Sequence, residues 1–434
     1  MCIGIVIRVL SISYALSYRE NTDILRWKDW GRISYLYSLK DTYKPDYLTF
    51  GTLPNNMPPG TLYIASEMYR LNILASKLVL RISHQDPGSN MFLNAILPTI
   101  FLRLPSLFFD GLIACLIYVF LKKRRGEILA VVSSMLFFLN PIALYNSAIW
   151  GQMDSITTGM FLLSFYFLYK KHFTLALTTA IFSLFVKVSL VFLLPVIIVS
   201  IYGLSKSLTD TLKSIAVAFA LMLLAILPVS LSPFVWLFGY ISQNLTGEMQ
   251  NITAFAFNLW WFLFTPVLSI VSTKTVFDFS EVRLSGSLLV SQTFLGIPLW
   301  IFAVSIFLLS LFPFVKIWIH QKDKFLEPRK LFLFSSLVSL LVFLILPQMH
   351  ERYMYPVFPF LAIAIGFGEP FLFEFLSLSV LHLLNLIFVW HPMKELLPLY
   401  PLMNSPLIQW GISALIVCVS LFLYWKSYFR LKSS

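Results

Sequence analysis

Five short stretches hold side chains that could do chemistry. Asp23 sits in Asn21-Thr22-Asp23-Ile24-Leu25-Arg26-Trp27. A carboxylate there can take the proton of an incoming hydroxyl or orient it; an Asp ahead of an apolar-periodic stretch also reads as a helix N-cap. Asp154 ends the turn Trp150-Gly151-Gln152-Met153-Asp154, where Gly, Gln152 and Asp154 together could bind hydroxyls, or Asp154 could cap the next helix. Lys187 stands alone between apolar runs, placed either to meet a lipid phosphate or to snorkel to the headgroups. His350-Glu351-Arg352-Tyr353 packs four polar side chains into one step of sequence. An Arg fork matches phosphate oxygens, and a His can donate to the same group or move a proton; a plain interfacial anchor is the alternative. Arg103 and Asp110, seven residues apart, read as an internal ion pair.

The elements that must carry these residues follow from composition. The chain has 434 residues, 58% hydrophobic and 12% charged, with mean hydropathy +0.81. A soluble domain carries about 25% charge. Half of that cannot solubilise this much apolar surface, so soluble enzyme, secreted disulfide scaffold and disordered chain are excluded. The three cysteines, Cys2, Cys115 and Cys418, form no CxxC pair and indicate neither a metal site nor a disulfide framework.

A span needs about 20 apolar residues. The apolar runs predict an all-α polytopic membrane protein of about twelve transmembrane helices, at 1–18, 102–121, 127–145, 154–169, 173–187, 190–204, 214–231, 296–315, 331–347, 354–368, 371–390 and 407–425. The first run carries Arg8 and is the weakest; a cleaved signal peptide would lack a small-residue cleavage site here. With the N-terminus inside, the inside loops hold 16 basic residues, against Lys274, Arg283, Arg352 and Lys394 outside, apart from the long first loop. That bias is the positive-inside rule. It accounts for much of the net charge of +12 and removes the motive for a nucleic-acid partner.

Two expected outside segments exceed connector length, 19–101 and 232–295. The first predicts an amphipathic surface helix over 23–38, with its Trp and Tyr at headgroup depth. Residues 61–82 predict a re-entrant or surface helix, or a thirteenth span that would invert the charge bias. The second holds the glycosylation-acceptor triplets Asn244-Leu245-Thr246 and Asn251-Ile252-Thr253. The polar clusters thus gather on one side. A pore would need polar residues through the full depth, so an enzyme acting on a lipid-borne substrate fits better than a transporter or flippase of lipid-linked sugars.

With these residues in place, the chain resembles the GT-C superfamily of integral-membrane glycosyltransferases. The likeness is strongest to mannosyltransferases related to the second mannosyltransferase of GPI-anchor synthesis. It rests on Asp23 with Trp27 and Trp30, on Pro58-Pro59-Gly60, on Asn140-Pro141 through Ser155, on Lys187, and on His350-Glu351-Arg352-Tyr353 with Pro356. Met57 replaces the usual aromatic before the Pro pair, and Val188-Ser189 follows Lys187 where relatives often have Pro-Gln.

The resemblance implies a polyprenyl- or dolichyl-phosphate-linked sugar donor and inversion at the anomeric carbon, with Asp23 as base. Arg352, His350 and Lys187 would meet the donor phosphate. Asp154, Gln152, Glu351, Tyr353 and Trp27 would bind sugar or acceptor, the acceptor being a lipid-linked glycan, a polymer or a protein. No metal or cofactor is required by that chemistry. The expected setting is a bacterial or archaeal plasma membrane, or the endoplasmic reticulum, with the site on the outer or luminal side.

Overall fold

The computed structural model describes residues 2–16, 21–49, 52–83, 92–246, 251–264, 293–294, 296–390, 398, 400–403 and 405–433. Helix dominates among them, and the strands are two-residue pairs. Among the described residues, seven helices are long and apolar enough to cross a membrane, or eight if one bent pair counts as a single span. This is the pattern of a helical integral membrane protein, because only helices or closed barrels satisfy their backbone groups in lipid.

In chain order the helices are α1 (Cys2–Ala15), α2 (Thr22–Leu36), α3 (Pro59–Ser83), α4 (Leu97–Arg125), α5 (Glu127–Phe138), α6 (Pro141–Leu144), α7 (Asp154–Tyr169), α8 (Phe173–Val186), α9 (Leu194–Ser205), α10 (Leu208–Ile226) and α11 (Pro233–Thr246). They continue as α12 (Leu299–His320), α13 (Pro328–Ile345), α14 (Val357–Gly366), α15 (Leu372–Val389) and α16 (Pro406–Lys432). Each of the twelve apolar runs falls on a helix, though α7 has 16 residues, α1 and α8 have 14 each and α14 has only 10. The bent pair is α5 with Pro141–Trp150, at 47°. Its cause is local: Pro141 has no N–H to continue the ladder, and the Asn140 side chain caps the new start by accepting from the Ile142 amide at 2.9 Å.

The chain forms two compact units, residues 1–116 with 143–245, and residues 117–142 with 246–434. In the first, α2 packs on α3 and α8 packs on α7 and α10. The helix expected over 23–38 is present as α2, and its tryptophans are packed inside the protein rather than exposed. Trp27 and Trp30 are buried in a cluster with Ile24, Leu62, Leu102, Met153, Ile156 and Val186. Ile24, Trp27 and Trp30 recur at near-helical spacing, so one face of α2 is core.

The segment after α2 is stapled by Asp29, which is fully buried. Its carboxylate accepts from Arg32, from the Thr49 amide at 2.7 Å and hydroxyl at 2.6 Å, and from the Thr52 hydroxyl at 2.6 Å. Burial works to raise its pKa, but these donors outweigh burial and hold it below the usual carboxylate value. The stabilisation is therefore present above the unfolded carboxylate pKa of about 4 and is lost as pH falls through the lower folded value. Asp29→Ala is expected to lower the opening free energy of residues 38–57 by about 2–3 kcal/mol. Limited proteolysis should show cutting there at pH 7 in the variant, and in the wild type only under strong acid.

In the second unit, α13 is the axis: every residue from Lys330 to Ile345 is buried. Two acids at one end of this unit are matched by bases. Glu369 pairs with Arg329, and Glu374, fully buried, accepts from Lys426 at 2.6 Å. At the other end, β1 (Thr253–Ala254) pairs in parallel with Met349–His350. Asn258 serves as the local nail: its Oδ1 accepts from the amides of Trp260 and Trp261, its Nδ2 donates to the Phe343 carbonyl, and its own carbonyl accepts from Ser413. Of the two glycosylation-acceptor triplets, the side chains of Asn244-Leu245-Thr246 lie outside the described residues. The second is built into the fold, with Thr253 buried and its hydroxyl donated to the Ala256 carbonyl at 2.9 Å.

Candidate functional site

Each unit holds one constellation. The first is organised by the turn between α6 and α7. After α6 the chain opens into one π-helical stretch, Tyr145–Trp150, and then turns at Gly151 with φ +82°. A side chain at that φ would be strained, and a Cβ there would lie 2.7 Å from Ile24 Cδ1. Arg103 secures the end of the π stretch, donating to the carbonyls of Ala148 at 3.0 Å and Ile149 at 2.9 Å. Asp110 is paired instead with Arg8 of α1, at 2.9 Å, and accepts from Ser147. The expected Arg103–Asp110 pair is thus replaced by two separate anchors, and Arg8, out of place in an apolar run, has its reason in Asp110.

The turn delivers Gln152. Its backbone N–H donates to the Asn146 carbonyl at 2.8 Å, and its carbonyl accepts from Ser106 at 2.6 Å. Its side-chain amide donates to Asp23 Oδ2 at 2.6 Å. Asp23 is half-buried in the first turn of α2 and is not the cap. That role belongs to Asn21, whose Oδ1 accepts from the Ile24 amide and whose Nδ2 donates to the Trp150 carbonyl, both at 2.8 Å. One Asn thus caps α2 and ties it to the turn that carries Gln152.

Asp154 is the first residue of α7 and makes no side-chain cap. It is buried and ion-paired with Lys187, and its other oxygen accepts from Asn146 at 3.3 Å. Lys187 does not snorkel: it is buried and paired inside the protein with Asp154. Trp27, expected against sugar, lies in the core cluster beneath.

The Pro58-Pro59-Gly60 turn also finds its reason. Thr61 donates to the Val186 carbonyl at 2.6 Å, and a Cβ on Gly60 would come within 2.5 Å of the Phe185 carbonyl oxygen. Only glycine lets α3 start this close to the end of α8, one residue before Lys187.

The second constellation is His350 to Tyr353. His350 closes the parallel pair with Ala254 and bridges Phe255; residues 351–354 then form a single 3-10 turn. Arg352 donates to Glu351 Oε1 at 2.9 Å, His350 Nδ1 lies 3.6 Å from Glu351 Oε2, and the Tyr353 ring meets the imidazole edge-on at 5.3 Å. Glu351 is 1% exposed and serves as the internal counter-ion of its neighbours. Burial works against its charge, but Arg352 and His350 more than offset it and bring its pKa to about 2.

The sequence reading missed the residues that hold this turn. Asn385 of α15 clamps the strand opposite His350, accepting from the Phe257 amide at 3.0 Å and donating to the Phe255 carbonyl at 2.8 Å. A lone Asn in an apolar helix was the available signal, since a buried amide needs partners on both sides. Among the described residues, no three His, Cys, Asp or Glu side chains come together as metal ligands. No family model matches the chain, and no curated protein compared with it matches.

Proposed function

We propose that this chain is a membrane glycosyltransferase of the GT-C type. It would move a hexose, mannose by the resemblance, from a polyprenyl- or dolichyl-phosphate donor to an acceptor hydroxyl with inversion. In this reading twelve helices span the bilayer, the N-terminus is inside, and the acting residues serve the outer or luminal face.

Asp23 takes the hydroxyl proton. The acceptor oxygen bonds to the anomeric carbon as the carbon–oxygen bond to phosphate breaks, and the electron pair leaves with the lipid phosphate. His350 and Arg352 stabilise that charge, while Tyr353 lines the sugar. Asp154, neutralised by Lys187, fixes the turn that carries Gln152.

The observation that carries the reading is the 2.6 Å bond from Gln152 to Asp23. It fixes the rotamer of a half-buried carboxylate through one oxygen, using an amide that cannot itself take up a proton.

The test is transfer by the purified full chain from polyprenyl-phosphate-mannose, with Asp23→Asn beside the wild type. Asp23→Asn should lose roughly 10²–10⁴-fold in turnover, with an unchanged unfolding temperature. Equal turnover in both would remove Asp23 as base. No turnover by the wild type across several lipid-linked donors would remove the enzyme reading and favour transport.

A further inference from the structure

We propose that Glu351 is the positioning carboxylate of an anion-binding rim, holding His350 and Arg352 for the phosphate of a prenyl-linked ligand. The proposal rests on reading those two residues as phosphate contacts and goes beyond it by assigning what aims them.

The argument is geometric. The Glu351 side chain is 1% exposed, Arg352 is 10% and His350 is 19%. The carboxylate therefore lies under two groups that are both nearer the surface. Its two oxygens are divided between them, Oε1 accepting from Arg352 at 2.9 Å and Oε2 lying 3.6 Å from His350 Nδ1. Both oxygens are thus directed at protein, and the acid is too deep to be a ligand's contact. With Nδ1 turned to the acid and the Tyr353 ring against the imidazole at 5.3 Å, Nε2 is the ring nitrogen left for a ligand.

The backbone beneath is fixed as well. His350 is locked by its pairing with Ala254 and its bridge to Phe255, and Asn385 clamps Phe255 and Phe257. A donor pair whose ring and guanidinium are both aimed by one buried acid, on a backbone held from a second segment, is a preorganised receptor for a tetrahedral oxyanion. Arg352 is long and flexible, and without the acid it would pay rotamer entropy on binding.

The probe is farnesyl phosphate, measured for equilibrium binding to the full chain in phosphatidylcholine nanodiscs. Glu351→Gln keeps the size but removes the charge and turns one of the two accepting oxygens into a donating NH2; Glu351→Asp keeps the charge. The wild type should bind saturably, Glu351→Gln should weaken binding about tenfold or more, and Glu351→Asp should return to within about threefold of wild type. Unfolding temperatures are recorded for all three.

If Glu351→Gln does not fold, His350→Gln takes its place, with an expected loss of about fivefold. Binding by Glu351→Gln, or by His350→Gln where it stands in, that equals wild type overturns the proposal. So does Glu351→Asp as weak as Glu351→Gln, and so does non-saturable partitioning by the wild type. Transfer is assayed separately: saturable binding without transfer would remove the enzymatic reading and leave this rim standing.

Discussion

Lys187→Met should cost about 3–5 kcal/mol of stability, measured as the shift in an SDS-unfolding titration of the purified chain. The substitution leaves Asp154 buried, with Asn146 at 3.3 Å as its remaining side-chain donor. A carboxylate taken out of water without its cation carries most of its desolvation penalty uncompensated. The reciprocal test separates that penalty from the worth of the pair. Lys187→Met combined with Asp154→Leu should recover most of the loss, because an apolar pair of similar volume replaces a buried ion pair at little net cost. A double variant no more stable than Lys187→Met would show that the pair holds the turn in a way that side-chain volume cannot replace.

The second large effect lies in the other unit and is asymmetric. Glu374 is fully buried and Lys426 is 24% exposed. Lys426→Met should therefore cost about 3–5 kcal/mol by stranding the acid. Glu374→Gln should cost about 1–2 kcal/mol, since the freed ammonium can reach water and keeps its bond to the Pro370 carbonyl at 2.8 Å. The same titration checks both, and equal losses would contradict this reading of the pair.

The apolar runs were legible because a span must be continuous, and continuity is a property of sequence alone. The partners of the charged groups were not. Arg103 and Asp110 lie seven residues apart on one helix, about 10 Å along its axis, which looked close enough to pair. The actual partner of Asp110 is Arg8, from the run whose single charge counted against it as a span. Lys187 and Asp154 are separated by an entire helical hairpin, and nothing local connects them.

Trp27 shows a different failure. Tryptophan beside a membrane suggested the headgroups, yet the recurrence of Ile24, Trp27 and Trp30 marked a buried face, and periodicity outweighed residue preference. At the candidate site, His350 to Tyr353 was visible as a polar run, but the supports behind it were not. Asn258 and Asn385 act through backbone amides and carbonyls, which no composition records.

The second unit is interrupted in sequence by residues 143–245 of the first. Helix α5 packs on α14, made some 220 residues later, which at 5–20 residues per second is roughly 10–40 s of synthesis. During that interval Ser133 and Ser134 of α5, both buried in the finished protein, lack the partner helix that α14 supplies. The second unit therefore closes only after residues 143–245, which complete the first, have been made. A pause in synthesis before α14 would lengthen the time that this polar face waits uncovered.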